Sequence, residues 1–131
     1  MSPTAGFLVF LAATLVLLGL VVATGLKAKR RLHIPLVAAS VGALAATIYY
    51  ALQVGKLYDL PAAGAITPIH LTIARVTTVC YLLPIGTGIR TIFVPTTRRL
   101  HKKLAFLVLG MTVLTAITGT LMICLAPRAH G

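Results

Sequence analysis

The sequence predicts an all-α, polytopic membrane protein with four transmembrane helices and no separate soluble domain. Three observations support this prediction. Apolar residues make up 59% of the 131 residues and charged residues only 10%, whereas soluble domains are roughly a quarter charged. Four apolar runs are long enough to cross a bilayer, which takes about 20 helical residues each. The same basic segment, Arg-Arg-Leu-His, opens two of these runs.

The predicted spans cover about residues 6–26, 33–54, 68–89 and 101–125, and together they form a single transmembrane domain of residues 1–131. The first run differs from a cleavable signal peptide because its basic residues follow the apolar run, so we expect a retained helix. Pro35 falls in the first turn of the second span, where a missing N–H is harmless. Pro84 lies inside the third span and should kink it.

The two Arg-Arg-Leu-His segments, residues 30–33 and 98–101, indicate two tandem helix-pair repeats. At an offset of about 68, three later matches follow, and a repeated period of this kind predicts duplicated structural units. Upstream, Ala23-Thr24-Gly25-Leu26 resembles Gly86-Thr87-Gly88-Ile89. A chance match between two basic loops on the same membrane side is the alternative. The later matches are Leu36 with Leu104, Gly42 with Gly110, and Thr47 with Thr115.

The distribution of charge predicts the topology. The net charge is +11 and Asp59 is the only acidic residue. The positive residues concentrate in two short loops beside apolar runs, so they provide no basic face for nucleic acid. Such clusters mark the cytoplasmic side of a membrane and attract anionic lipids. We therefore expect both basic loops to be cytoplasmic and both termini to be outside.

His33 and His101 are equivalent in the repeat, and each begins a span directly after an arginine pair. Neutral imidazole is a common ligand of haem and of many metals. Arg31 and Arg99 would suit the propionates of a haem, because guanidinium binds carboxylate in a bidentate manner. Two interpretations stay open. The histidines share a haem or metal across the bundle, or they are interfacial residues hydrogen-bonded to lipid or loop.

His70, near the outer end of the third span, is a candidate copper ligand, because imidazole and sulfur ligands together suit copper. A hydrogen-bonded interfacial histidine is the alternative. The candidate companions on the outer side are Asp59, Met122, Cys124 and His130.

Arg75 lies roughly two turns inside the third span. A charge within the membrane is costly and usually marks function. We predict that Arg75 faces the bundle interior or an anionic group of a partner, with snorkelling to the interface as the alternative. Its helical position is about 140° from that of His70, so whether the two act together stays open.

Catalytic chemistry has few candidates in this sequence. Asp59 has no second acid as a partner for general acid–base catalysis, and a Ser-His-Asp set would have to use that one acid. No glycine-rich phosphate-binding loop is present. We therefore predict no catalytic residue, and redox transfer through a cofactor is the one activity that stays open.

Several short motifs carry a resemblance to a known family. The second span begins after Arg31-Leu32-His33 and the third begins at His70-Leu71-Thr72-Ile73-Ala74, with a Leu83-Pro84 step within it. The fourth begins with His101-Lys102-Lys103-Leu104-Ala105 and has Thr118-Gly119 near its end. These motifs, over about residues 26–126, resemble the small four-helix bacterial membrane protein family that includes the cytochrome oxidase assembly protein CtaM. That family also has a histidine at the outer end of the second helix, where this chain reads Tyr49-Tyr50-Ala51-Leu52-Gln53.

The resemblance implies a role around haem-copper oxidases in the bacterial inner (plasma) membrane. The leading hypothesis is an integral membrane assembly or accessory component of a respiratory complex, with other integral membrane subunits and anionic lipids as partners and no nucleic acid. One alternative is a b-type cytochrome-like electron carrier whose haem is held by His33 and His101. Another is a purely structural small subunit of a larger membrane complex. Haem b is the first candidate cofactor and copper at His70 the second, and a protein without a cofactor also fits the sequence.

Overall fold

A computed structural model describes residues 1–129 and confirms the all-α prediction. Within this range, four helical segments are long and apolar enough to cross a membrane: Pro3–Leu26, Arg30–Gly55, Ile66–Phe93 and Pro95–Leu125. The α-helices are α1 (Pro3–Leu26), α2 (Arg30–Gly55), α3 (Ile66–Cys80), α4 (Leu82–Phe93) and α5 (Arg98–Leu125). Short 3-10 turns at Leu60–Ala63 and Pro95–Thr97 precede α3 and α5.

A tight turn between α1 and α2 places the start of the second helix. Ala28 adopts a φ of 54° in this turn, and the N–H of Lys29 donates to the carbonyl of Thr24 at 2.9 Å. The N–H of His33 donates to the carbonyl of Lys29 at 2.9 Å, so helical bonding begins earlier than predicted. Because α2 begins at Arg30, Pro35 lies inside the helix. The prediction that Pro35 sits in the first turn is therefore wrong.

The third span is interrupted at Tyr81, between α3 and α4. Pro84 has no N–H to donate to the carbonyl of Cys80, and its ring crowds that carbonyl. The helix therefore ends at Cys80 and resumes at Leu82. The structure thus shows an interruption near Pro84, between two consecutive helices, where we predicted a kink.

The chain divides into two compact units, Met1–Tyr58 with Ala129, and Asp59–Arg128. In the first unit α1 packs along α2, and in the second unit α3 and α4 pack along α5. The short connections and the nested pairing of residues make each unit an antiparallel helix pair. The units are described separately below as unit 1 and unit 2.

Equivalent threonine pairs connect the helices of each unit. In unit 1, the hydroxyl oxygens of Thr14 and Thr47 lie 3.0 Å apart, across 33 residues of chain. In unit 2, those of Thr77 and Thr115 lie 3.0 Å apart, across 38 residues. Since both residues of one pair correspond to both residues of the other, these contacts favour the duplication over a chance match between basic loops.

The interior of each helix pair is polar and its surface is apolar. Thr14 is only 2% exposed, whereas Val79 is 66% and Leu82 is 67% exposed. This arrangement suits helices that are surrounded by hydrocarbon, because lipid exerts no hydrophobic force between them and small or hydrogen-bonded residues form the contacts. Within residues 1–129, every buried side-chain nitrogen or oxygen has a hydrogen-bond partner.

Candidate functional site

His33 at the start of α2 is held by the end of α1. Its Nδ1 lies 3.0 Å from the carbonyl oxygen of Val21 and 3.2 Å from Oγ1 of Thr24. The Thr24 hydroxyl donates to the carbonyl of Leu20 at 2.8 Å, so its oxygen can accept from the imidazole. Gly25 makes room for the ring, because a Cβ at this position would lie 3.0 Å from Cε1 of His33.

His101 is held in the same way in unit 2. Its Nδ1 lies 3.3 Å from Oγ1 of Thr87, and the Thr87 hydroxyl donates to the carbonyl of Leu83 at 2.7 Å. A Cβ at Gly88 would lie 3.1 Å from Cε1 of His101. We call this arrangement, in which a Thr-Gly pair accepts an imidazole from the neighbouring helix, a Thr-Gly notch. It explains the repeated Thr-Gly in the sequence.

A third Thr-Gly notch, formed by Thr118 and Gly119 on α5, accepts His70 from α3. Nδ1 of His70 lies 2.9 Å from Oγ1 of Thr118, and a Cβ at Gly119 would lie 2.8 Å from Cε1 of His70. In this notch the histidine belongs to the first helix of the pair and the glycine to the second. All three histidines of residues 1–129 thus use Nδ1 to connect two helices.

Unit 2 contains a further polar contact at the interruption between α3 and α4. Oη of Tyr81 lies 2.6 Å from Oγ1 of Thr112, whose hydroxyl donates to the carbonyl of Val108 at 2.8 Å. Hydrogen bonds therefore connect the helices of unit 2 along most of their length. The connected pairs are His70 with Thr118, Thr77 with Thr115, Tyr81 with Thr112, and Thr87 with His101.

In unit 1, the ring of Tyr50 fills the space beside Gly6, at the end of the helix pair opposite the α1–α2 turn. A Cβ at Gly6 would lie 2.7 Å from Cζ of Tyr50 and would contact two other ring carbons. The Tyr50 ring stacks on Phe10, with ring centroids 5.6 Å apart, and meets Tyr49 edge to face at 5.3 Å. The Tyr50 ring is therefore held from several sides.

Arg75 and His70 lie on different faces of α3. His70 contacts α5 through Thr118, whereas Arg75 is exposed. The structure therefore places Arg75 at the surface and not in the interior of its helix pair, and it does not bring the two side chains to one site. The exposed position excludes Arg75 from the contact between α3 and α5. Whether Arg75 faces the bundle interior, an anionic group of a partner or the membrane interface stays a prediction.

The other predicted site residues lie near the helix ends. Arg31 and Arg99 are exposed in the first turns of α2 and α5. Cys124 is exposed and Cys80 is partly buried. In the part of the chain that the structure describes, no three His, Cys, Asp or Glu side chains are grouped to hold a metal ion. His130, one of the candidate companions of His70, lies outside the described residues.

The Thr-Gly notches are the helix contacts that sequence reasoning missed. The sequence shows the echo of Thr24-Gly25 in Thr87-Gly88, but not that each pair contacts a histidine. A sequence signal exists in retrospect, because a Thr-Gly pair stands at the end of a span opposite each of the three histidines.

Comparisons of the chain with protein-family models, with curated proteins and with solved structures found no match.

Proposed function

We propose that this protein is an integral membrane assembly or accessory component of a respiratory complex, and that the complex is a haem-copper oxidase. The observation that carries the proposal is the exposed arginine within the third span. The motif resemblance supports the choice of complex. The partners are other integral membrane subunits of the complex, and the location is the bacterial inner membrane.

We propose that Arg75 pairs with an anionic group on a partner helix. It lies nine residues into α3, about 14 Å along the helix, within the span Ile66–Phe93. The only acidic residue, Asp59, precedes α3 and is not part of any span. An arginine exposed to hydrocarbon costs at least about 2.5 kcal/mol on insertion scales, and a carboxylate on a partner helix would remove this cost.

The surface around Arg75 has the composition of a helix-docking face. Leu71 and Val79, one turn before and one turn after Arg75, are 37% and 66% exposed. An arginine surrounded by exposed apolar side chains suits a partner helix that is apolar apart from one acidic residue, since such a helix satisfies both the charge and the packing.

Replacing Arg75 is expected to release the partner subunits. Arg75→Leu should lower the amount of oxidase subunits that co-purify with the tagged chain by tenfold or more, whereas Arg75→Lys should retain part of it because the charge remains. Thr78→Leu is the matched control, since Thr78 is also exposed on α3. Co-purification from native membranes measures the effect, with membrane insertion checked by alkaline extraction. Normal recovery of subunits with Arg75→Leu would show that Arg75 only snorkels.

The orientation that we propose has both termini outside and both basic loops in the cytoplasm. It rests on the positive residues that flank the two turns. In a background with Cys80→Ala and Cys124→Ser, single cysteines at Lys29 and Thr96 should resist an impermeant thiol reagent in intact cells. A cysteine at Ala62, in the exposed turn before α3, should react. The opposite labelling pattern would invert the orientation and place His33 and His101 on the outer side.

A b-type cytochrome-like carrier, with haem b held by His33 and His101 and the propionates by Arg31 and Arg99, is the alternative function. One observation favours it: Nδ1 of His33 bonds the carbonyl of Val21 at 3.0 Å, and histidines that ligate metals commonly use the other ring nitrogen in such a bond. When bound, the haem would supply one-electron transfer. An absorption spectrum of the purified protein separates this alternative from the assembly role, and metal analysis of the same sample tests for copper at His70.

A purely structural small subunit is the remaining alternative, and the stoichiometry of the complex distinguishes it from an assembly component. A structural subunit stays in the mature complex in a fixed ratio, whereas an assembly component co-purifies with immature forms and is depleted from the finished oxidase.

A further inference from the structure

We propose that the beginning of α5 is a binding site for the headgroup of an anionic phospholipid, formed by Arg99, Lys102, Lys103 and Phe106. These four residues line a shallow, widely open depression on the surface of unit 2, which we call the pocket. The proposal specifies where the anionic lipids expected as partners would bind, and it does not rest on the oxidase role, because it concerns a lipid contact and not a protein partner.

The four side chains have the spacing that a phospholipid requires. Arg99 and Lys103 are separated by four residues, as are Lys102 and Phe106, so each pair lies on neighbouring turns of one helix face. Phe106 is 48% exposed and lies about 10 Å deeper along the helix than Arg99. The cationic groups can therefore contact a phosphate while the Phe106 ring contacts the beginning of an acyl chain.

Within residues 1–129, no carboxylate side chain lies near these three cations. Asp59 is the only acidic residue, and its N–H donates to the carbonyl of Pro127 at 2.8 Å, beyond the last residue of α5. Asp59 thus lies at the opposite end of a helix of 28 residues, about 42 Å from its start. The positive end of the helix dipole adds to the charge of the cluster, so the site favours an external anion.

The internal duplication shows that the pocket is specific to unit 2. The positions in α2 that correspond to the four pocket residues are Arg31, Ile34, Pro35 and Ala38. Only the arginine is shared, and both lysines and the aromatic ring are absent from unit 1. General attraction between a basic loop and the membrane depends on positive charge alone. It does not account for two lysines and an aromatic ring placed together in unit 2 and absent from unit 1.

A lipid phosphate fits the pocket better than a free phosphate does, because of Phe106. The exposed ring lies within the span Pro95–Leu125, directly below the charged groups. A free anion gains nothing from an apolar ring beside it, whereas a lipid gains contact along its chain. Each Lys or Arg near a membrane surface adds to the attraction for anionic lipid.

The test compares two double variants of the full chain that lose the same charge. Lys102→Gln/Lys103→Gln removes two positive charges from the pocket, and Lys27→Gln/Lys29→Gln removes two from the α1–α2 turn. Each purified protein is placed in phosphatidylcholine nanodiscs with increasing phosphatidylglycerol, and the bound phosphatidylglycerol is measured by native mass spectrometry. We expect binding at least about tenfold weaker for the pocket variant, and a loss several-fold smaller for the control, which removes the same charge but no pocket residue.

Phe106→Ala provides a second variant that keeps every charge. It should weaken phosphatidylglycerol binding several-fold while inorganic phosphate fails to compete with the lipid. All four pocket side chains are exposed, so we expect α5 to stay folded in each of these variants. Equal loss in both double variants would overturn the proposal in favour of diffuse attraction. Unchanged binding in the pocket variant, or competition by millimolar inorganic phosphate, would also overturn it.

Discussion

Gly6→Ala is expected to destabilise the protein more than any other glycine-to-alanine substitution in the described helices. A Cβ at Gly6 would lie within 2.7 Å of three carbons of the Tyr50 ring. The ring cannot turn aside easily, because it stacks on Phe10 and contacts Tyr49. The helices α1 and α2 must then separate, and forcing an extra methyl group into a packed interface costs about 1–3 kcal/mol.

Gly19 provides the matched control for Gly6, because it lies on the same helix and a Cβ there meets no atom within 4 Å. Relative to Gly19→Ala, Gly6→Ala should lower the free energy of unfolding by about 1–3 kcal/mol. Loss of helical circular dichroism in mixed micelles at increasing fractions of denaturing detergent measures this difference. In a Tyr50→Ala background the difference should largely vanish. If it persists there, the ring is not the obstacle and the described packing of α1 on α2 is incorrect.

Gly119→Ala is expected to have the second largest effect, because it fills the Thr-Gly notch that holds His70. The new Cβ would lie 2.8 Å from Cε1 and 3.3 Å from Nε2 of the imidazole. Moving the ring would also break its 2.9 Å bond to Thr118. Interhelical side-chain hydrogen bonds in membranes contribute about 0.6 kcal/mol on average, and this loss adds to the steric cost of about 1–3 kcal/mol.

Gly110 is the control for this substitution, because it is also on α5 and has open space around its Cβ position. Measured as above, the free energy of unfolding should be lower for Gly119→Ala than for Gly110→Ala. In a His70→Ala background this difference should vanish. Gly25→Ala and Gly88→Ala should fall between these extremes, since their contacts with imidazoles would be 3.0 and 3.1 Å. Equal stability of the Gly119 and Gly110 variants would mean that His70 does not occupy the notch.

The spans and the duplication were predictable from the sequence, because both depend on features that lie along the chain. An apolar run of sufficient length and a basic flank are local, and so is the repeated Arg-Arg-Leu-His. Pro84 was predictable for the same reason, since the missing N–H acts on the carbonyl four residues before it. Pro35 was misplaced because the start of α2 depends on the backbone of the turn at Ala28, which residue types alone do not determine.

Which face of each helix is buried was not predictable, because the lipid-facing side and the protein-facing side of a membrane helix can both be apolar. In a soluble protein an apolar stripe identifies the buried side of a helix, but here the buried positions are mainly threonines, such as Thr14 and Thr77. The exposed position of Arg75 and the partners of the histidines follow from these faces. For that reason the sequence identified His33, His70 and His101 as candidates without showing that each one connects two helices.

The two units place glycine and ring on opposite helices, and this difference favours the observed helix pairs over exchanged ones. At corresponding levels, the first helix of unit 1 offers the space of Gly6, and the first helix of unit 2 offers the ring of His70. If α1 associated with α5 during insertion, Gly6 and Gly119 would face each other, and neither would receive the ring that fills its space in the observed pairs. If α3 associated with α2, the rings of His70 and Tyr50 would collide. The two similar helix pairs are thus distinguishable at this level, and we expect each nascent pair to assemble in the bilayer without exchanging helices with the other.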